Sequence, residues 1–194
     1  MDEALTPFAL RPVGRRQGLL LLVDYQQRLM PAIHGGAQAV AEAIFLARLA
    51  RLLGLAVMGT EQNPAGLGPN VAALRELCDT TLPKMHFDAC RDGLVPALRA
   101  AAPQAREVVV AGCEAHVCLL QTVLGLRRAG FNVHVVADAC GSRCAQDHGL
   151  AMRRLEGAGA VIVGAEMVAF EWLEACTDAQ FRPALALIKQ RGLG

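Results

Sequence analysis

EVVVAGCEAHVCLLQTVLGLRRAGFNVHVVADA, residues 107–139, is the stretch on which the fold turns. It begins with a run of strand length at 107–111 that is apolar after Glu107. A helix-length stretch follows over 117–129 and stops at Gly130, a residue suited to the position just past a helix. A second run, 133–137, apolar but for His134, closes the unit. A strand that passes through a helix into another strand is a βαβ unit. Strands that are apolar on both faces belong to a parallel sheet covered by helices on either side.

The same rhythm extends in both directions. Upstream, strand-like runs fall at 19–23, at 56–59 and, shorter and weaker, at 82–83. Between the first two, residues 37–53 carry leucine and alanine at helical spacing and stop at Gly54. Downstream, a helix over about 144–158 closes at Gly159 ahead of a last strand at 160–163. The expected fold class is α/β: a three-layer α/β/α, Rossmann-like, doubly wound domain around a mainly parallel sheet of about six strands. A chain of 194 residues with 54% hydrophobic content is enough for one substantial core and too short for two ordinary domains. One domain spanning 1–194 is expected, with 1–16 as an N-terminal extension, 17–189 as the core, and loosely held ends at 1–16 and 190–194. The longest irregular piece is 62–70.

Composition narrows the function. Nineteen Lys and Arg against eighteen Asp and Glu give a net charge of +1, which provides no one-signed field for a polyanion or an anionic membrane. Nucleic acid and membrane are therefore not expected as partners. The apolar run at 18–23 is too short for a membrane span and ends in Asp24. Seven cysteines, odd in number and scattered, point to a reducing, cytoplasmic setting.

In open parallel sheets ligands bind beyond the carboxyl ends of the strands. Asp24 follows the first strand, 60–63 the second and Lys84 the third; 112–118 join the fourth strand to its helix, and Asp138 follows the fifth. Cys118 falls near the first turn of a helix starting around His116, where unpaired N–H groups and the helix dipole favour a thiolate. Those N–H groups also suit an oxyanion on a substrate carbonyl. Asp24 can exchange the proton that a cysteine nucleophile must lose, and Lys84 can hold the charge of Asp24. The same positions are also met if Asp24 caps a loop, Lys84 is solvated and Cys118 packs in its helix.

Taken together, LLLVDYQ (20–26), KMHF (84–87), VVVAGCEAHVCLLQT (108–122) and VVADACGSR (135–143) resemble, in order, the motifs of isochorismatase-like hydrolases, across residues 18 to about 175. TEQNPAGLG (60–68) and EMVAFEWL (166–173) are similar to the branch of small cysteine hydrolases called isochorismatase-domain-containing proteins. The resemblance implies Asp24 as general base and acid, Lys84 as charged partner and Cys118 as nucleophile. It also implies a cis peptide between Cys113 and Glu114, with the amides of Glu114 and Cys118 forming an oxyanion hole. The implied reaction is hydrolysis of a small-molecule amide or related C–N bond through a thioester. Isochorismate hydrolysis itself proceeds in the family without this cysteine. The resemblance further implies a homo-oligomer and no cofactor. Metal-dependent nicotinamidases of the superfamily carry an Asp-x-His motif after the second strand, whereas this chain has Glu61, Gln62 and Asn63, so no metal is expected.

Around this triad, Gln62 and Asn63 are candidates to hydrogen-bond a polar substrate group. Gln26 either braces the carboxylate, touches substrate or makes a loop hydrogen bond. Phe87 and Leu119 are candidate pocket walls, against ordinary core packing. His116 lies two residues from Cys118, a spacing that does not bring side chains face to face on a helix, so it is read as pocket lining. Glu61 caps the loop or lines the site. Cys140, Cys144 and His148 recur at a spacing of four but lack an evident fourth ligand. Asp138 and Arg143 are read as a structural ion pair or hydrogen bonds around their loop. Phe170, Trp172, Leu173 and Phe181 gather bulk near the C-terminus and suggest a subunit interface. Besides the hydrolase, two readings compete. One is a catalytically silent binding or scaffold protein of the same fold. The other is a nucleotide-binding α/β protein, which lacks a Gly-rich phosphate motif after any strand.

Overall fold

The computed structural model describes residues 7–191. Its apolar runs form six strands, β1 (Gly18–Val23), β2 (Val57–Gln62), β3 (Thr80–Lys84), β4 (Glu107–Gly112), β5 (Asn132–Val136) and β6 (Val161–Val163). They make one sheet in the order β3-β2-β1-β4-β5-β6, with every neighbouring pair parallel. The helices are α1 (Gly36–Leu52), the single turns α2 (Pro64–Leu67) and α3 (Ala72–Arg75), then α4 (Leu94–Ala101), α5 (Leu120–Arg128), α6 (Ala145–Gly157), α7 (Ala165–Leu173) and α8 (Phe181–Gln190).

β1 shows why the strands read as continuous apolar runs. Leu20 and Leu22 enter one core with Val109, Ala111, Leu46 and Trp172, under α1, α7 and α8. Leu19, Leu21 and Val23 enter the other with Val108, Val110, Leu94 and Leu126, under α4, α5 and α6. Successive side chains point to opposite faces. A strand with helices above and below must therefore be apolar at every position.

Two strand boundaries differ from the sequence reading, for one reason. β2 runs to Gln62 and β3 begins at Thr80, because Thr60, Glu61 and Gln62 pair in register with Leu82, Pro83 and Lys84. Thr60, Glu61 and Gln62 are polar and so read as loop, while of β3 only Leu82 and Pro83 read as strand. β3 is an edge strand, where a residue without an N–H is tolerated.

The ends are held more firmly than expected. Phe8 packs edge-on against His134 with ring centroids 4.7 Å apart. The backbone N–H groups of Val13 and Gly14 donate to Glu171 and Glu107 at 2.6 and 2.9 Å, and Arg15 pairs with Asp178 at 2.7 Å. Arg191 bonds Glu42, Asp138 and Glu166 together. Residues 1–6 and 192–194 of the expected loose ends lie outside the described residues. The C-terminal bulk is likewise mostly internal: Trp172 and Leu173 are core residues and Phe181 packs against them, while Phe170 is 44% exposed. Among the described residues no helix is long and apolar enough to cross a membrane.

The sheet reverses its winding between β1 and β4, which lie side by side in register up to Val23↔Gly112. A Cβ added to Gly112 would overlap the carbonyl oxygen of Val23 and stand 2.6 Å from its Cβ. By contrast, one added to Gly157, at the end of α6, would meet nothing within 4 Å. In urea unfolding, Gly112→Ala is expected to destabilise the protein by about 1–3 kcal/mol, as overpacking does. Gly157→Ala should be neutral or stabilising by up to about 1 kcal/mol. Equal effects at the two positions would contradict this account of the switch point.

Candidate active site

β1 ends at Val23, and Asp24 turns the chain with a backbone φ of 54°, a left-handed conformation that Asp tolerates better than most residues. The turn sets its carboxylate at the switch point, one oxygen hydrogen-bonded and the other in an ion pair. Thr60 Oγ1 donates to Oδ1 at 2.6 Å, and Lys84 Nζ stands 2.7 Å from Oδ2. The Asp24 and Lys84 side chains are both fully buried.

The alternation of β2 explains the remaining partners. Thr60 and Gln62 share one face and Glu61 takes the other. Gln62 is in register with Lys84, and its Oε1 accepts from Lys84 Nζ at 2.7 Å while its Nε2 donates to the Met85 carbonyl at 2.8 Å. Glu61, on the opposite face, accepts from the Asn70 N–H at 2.9 Å and so braces the loop. Gln26 is buried as well. Its Nε2 donates to the carbonyls of Gln62 and Gly68, and its Oε1 accepts from the Gln62 N–H. Gln62 was a candidate to hydrogen-bond substrate, and Gln26 to brace the carboxylate, touch substrate or make a loop hydrogen bond. Their polar atoms are engaged within the protein, because both amides lie beneath the loop they hold together.

Cys118 arrives from the other side of the switch point. The Cys113–Glu114 peptide is cis. Cys113 N–H donates to the Val23 carbonyl at 2.9 Å, Ala115 N–H to that of Gly141 at 2.7 Å, and the Glu114 carboxylate pairs with Arg143 at 2.8 Å. A π-helical turn, Ala115–Leu119, follows, with Leu119 N–H reaching the Glu114 carbonyl at 3.3 Å. Such turns are frequent at functional sites. Cys118 is buried within it, where its thiol comes under the influence of both the Asp24 carboxylate and the Lys84 ammonium. The carboxylate, the ammonium and the thiol therefore meet at one point.

This meeting corrects the expectation of a resting thiolate. Burial, then the negative charge of Asp24, push the Cys118 thiol up to about 12, against an opposing but weaker pull from Lys84. Helix-end electrostatics are outweighed because desolvation disfavours the charged form more strongly.

The other candidates divide clearly. Leu119 is fully buried in the second core, so it is packing and not a pocket wall. Phe87 and Met85, on the segment after Lys84, are 50% and 66% exposed. Asn63 is exposed with a left-handed backbone, and its N–H donates to the Lys84 carbonyl at 2.8 Å. His116 Nδ1 lies 3.0 Å from Ser142 Oγ, and its Nε2 is 3.9 Å from Asp147. Cys144 donates to Asp147 and His148 contacts the Ala137 carbonyl; among the described residues no three His, Cys, Asp or Glu are grouped to hold a metal ion. Asp138 pairs with Arg191 and Arg143 with Glu114, so the two do not pair with each other. The sequence reading assigned no role to Thr60. Its signal was a polar residue at the carboxyl end of a strand beside the switch point.

Comparison with known proteins gives this arrangement a context. Residues 18–167 match the Isochorismatase domain family. Isochorismatase domain-containing protein 2 of Pongo abelii is 38% identical over 175 residues, covering 89% of this chain and 83% of that protein. The structure of MAR1 ribonuclease from Caenorhabditis elegans superposes with a TM-score of 0.85 at 29% identity, over 94% of this chain and 97% of that one. The YcaC gene product of Escherichia coli, described as an octameric hydrolase of unknown specificity, superposes with a TM-score of 0.86 over 94% of this chain and 91% of that one. At 23% identity that likeness is one of fold alone.

The raised thiol has a measurable consequence. Only the thiolate is alkylated, so iodoacetamide labelling of Cys118, followed by peptide mass spectrometry, is expected to rise about tenfold per pH unit from 7 to 10 without levelling off. A plateau below pH 9 would show an ionised cysteine at rest. The linkage runs the same way. The neutral thiol favours the folded state below its ordinary value of 9.0, and this contribution fades as pH climbs toward about 12.

Proposed function

We propose, from the premise that this chain belongs to the isochorismatase family, that it is a cysteine-dependent hydrolase of a small-molecule amide or related C–N bond. The observation that carries this reading is the buried Asp24–Lys84 ion pair at the switch point, with both charges acting on the buried thiol of Cys118. A thiol that is neutral at rest needs a base in hydrogen-bond contact at the moment of attack. Asp24 fills that role.

In the first half-reaction Asp24 takes the Cys118 proton as Sγ adds to the carbonyl carbon. The oxyanion is received by the amides of Glu114 and Cys118, and Lys84 keeps the carboxylate oriented. The tetrahedral adduct collapses, the C–N bond breaks, and the amine leaves with the proton from Asp24. A thioester on Cys118 remains. Water then adds to its carbonyl while Asp24 takes a proton, and the departing sulfur recovers that proton as the free acid is released. Lys84 stays an ammonium throughout, and no step calls on a cofactor. Phe87 and His116 remain candidates for the pocket rim, together with Asn63. Seven unpaired thiols suit a reducing compartment such as the cytoplasm.

The ribonuclease named among the similar structures supplies a second reading. It is opposed by a net charge of +1, which gives little basis for holding a polyphosphate chain. We extend the proposal to a homo-oligomer of at least two copies, meeting through α7, where Met167 and Phe170 share a face and are 52% and 44% exposed.

Two outcomes are expected. Presented with a panel of small primary amides and with a labelled single-stranded RNA, the protein should hydrolyse an amide, leave the RNA intact and carry an acyl adduct on Cys118; Cys118→Ser and Asp24→Asn should each lower turnover by at least about 10³-fold. RNA cleavage without amide hydrolysis, or amide turnover that survives Cys118→Ser, overturns the reading. In light scattering at micromolar concentration the mass should be that of a dimer or larger, and a monomer removes the oligomer.

A further inference from the structure

A buried ammonium must find an acceptor for each proton it cannot share with water, and Lys84 is among the least accessible lysines a protein can have. Asp24 Oδ2 meets it as an ion pair at 2.7 Å. Gln62 Oε1 accepts a proton from it at the same distance, and the His86 carbonyl lies farther off at 3.4 Å. Gln62 thus contributes as close a contact as the catalytic carboxylate itself, without adding charge.

The orientation of that amide is fixed from its other end. Nε2 donates to the Met85 carbonyl at 2.8 Å. Turning the group over would set Nε2 against an ammonium and Oε1 against a carbonyl oxygen, two contacts between like ends of dipoles. The backbone of Gln62 is fixed as well. β1 stops pairing with β2 at Val23↔Thr60, since Asp24 swings away. Beyond that point the side-chain amide of Gln26 supplies the missing pair, donating to the Gln62 carbonyl and accepting from its N–H, both at 2.9 Å. Gln26 also donates to the Gly68 carbonyl at 2.6 Å, which ties this end of β2 to the following loop. The last residue of β2 therefore stays in register with Lys84 although its neighbouring strand has ended.

We propose that Gln62, itself held by Gln26, is a positioning residue that keeps the Lys84 ammonium against Asp24 and Cys118. This role rests on the cysteine-hydrolase reading and deepens it, since it explains how a flexible four-carbon side chain is kept at one point beside the nucleophile. A neutral amide suits the task. A carboxylate at position 62 would compete with Asp24 for Lys84 and add a negative charge beside a thiol that must ionise during attack.

The test reads the charge balance at Cys118 and does not depend on knowing the substrate. Iodoacetamide labelling of Cys118 is followed from pH 7 to 10 in the wild type, Gln62→Leu, Gln26→Leu, Lys84→Met and the Gln62→Leu/Lys84→Met pair. Circular dichroism and the labelling of exposed Cys144 and Cys176 report on folding. With Lys84 no longer held, Gln62→Leu should slow Cys118 labelling about tenfold at pH 9, the effect of losing one hydrogen bond to a charged group. Gln26→Leu should act in the same direction but more weakly. In the Lys84→Met background, adding Gln62→Leu should have almost no further effect, because the group being positioned is gone. A merely structural role would add its cost in both backgrounds. If Lys84→Met slows labelling while Gln62→Leu leaves it unchanged or speeds it, the positioning role is overturned and the triad stands. If Lys84→Met itself changes nothing, the triad reading fails whatever Gln62 does. Should Gln62→Leu not fold, Gln62→Met, which keeps the length but not the oxygen, carries the same comparison.

Discussion

A carboxylate and an ammonium buried together at the end of a sheet set the terms for everything around them. Taking two charges out of water costs several kcal/mol each unless their lone pairs and protons are met by partners. At Asp24 and Lys84 this demand is answered by neighbours on β2 and on the segment after β1. Thr60 covers the second carboxylate oxygen, Gln62 covers a second ammonium proton, and Gln26 holds Gln62. The presence of the pair converts the carboxyl end of β2 from apolar strand into a row of buried hydrogen-bonding groups.

The same burial governs Cys118. A cysteine at the start of a helix with a lysine beside it is usually read as a thiolate in waiting, and both influences are present here. They lose to desolvation and to the nearby carboxylate. The consequence is chemical. The site holds a neutral thiol, an anion and a cation, so the proton on sulfur moves only when an electrophile makes the move worthwhile. A reserve of that kind protects the cysteine from casual oxidation, since reactivity follows thiolate character. In the proposed mechanism it also ties turnover to Asp24, the carboxylate whose charge acts on the thiol.

How much of this was legible in the sequence follows from what each residue has to do. The sheet was legible because a strand covered on both faces must be apolar at every position, and the helix ends were legible at Gly54, Gly130 and Gly159, all of which have positive φ. Asp24, Lys84 and Cys118 stood out because each follows a strand at the edge where ligands bind. The end of β2 was lost for the opposite reason. Thr60, Glu61 and Gln62 are as polar as a loop, and only the register with β3 reveals them as strand. Leu119 was misjudged because its neighbour Cys118 faces the site, whereas a π-helical turn sends the next side chain into the core. The N-terminal segment looked loose because it is held by backbone N–H groups on distant carboxylates, a device that leaves no mark on its own residues.

The two faces of β2 also bear on the lack of imidazole after this strand. A metal centre there would need side chains on the site face with lone pairs to offer. Gln62 presents its one carbonyl oxygen to Lys84. Glu61 lies on the opposite face with an oxygen on the Asn70 N–H, and Asn63 has already turned out of the strand with a left-handed backbone. Gln62 is thus the one residue of the three directed at the site, and its oxygen already meets a cation, supplied by the protein. Lys84 supplies a positive charge at this point, and the strand register that delivers it sets the Gln62 oxygen against it.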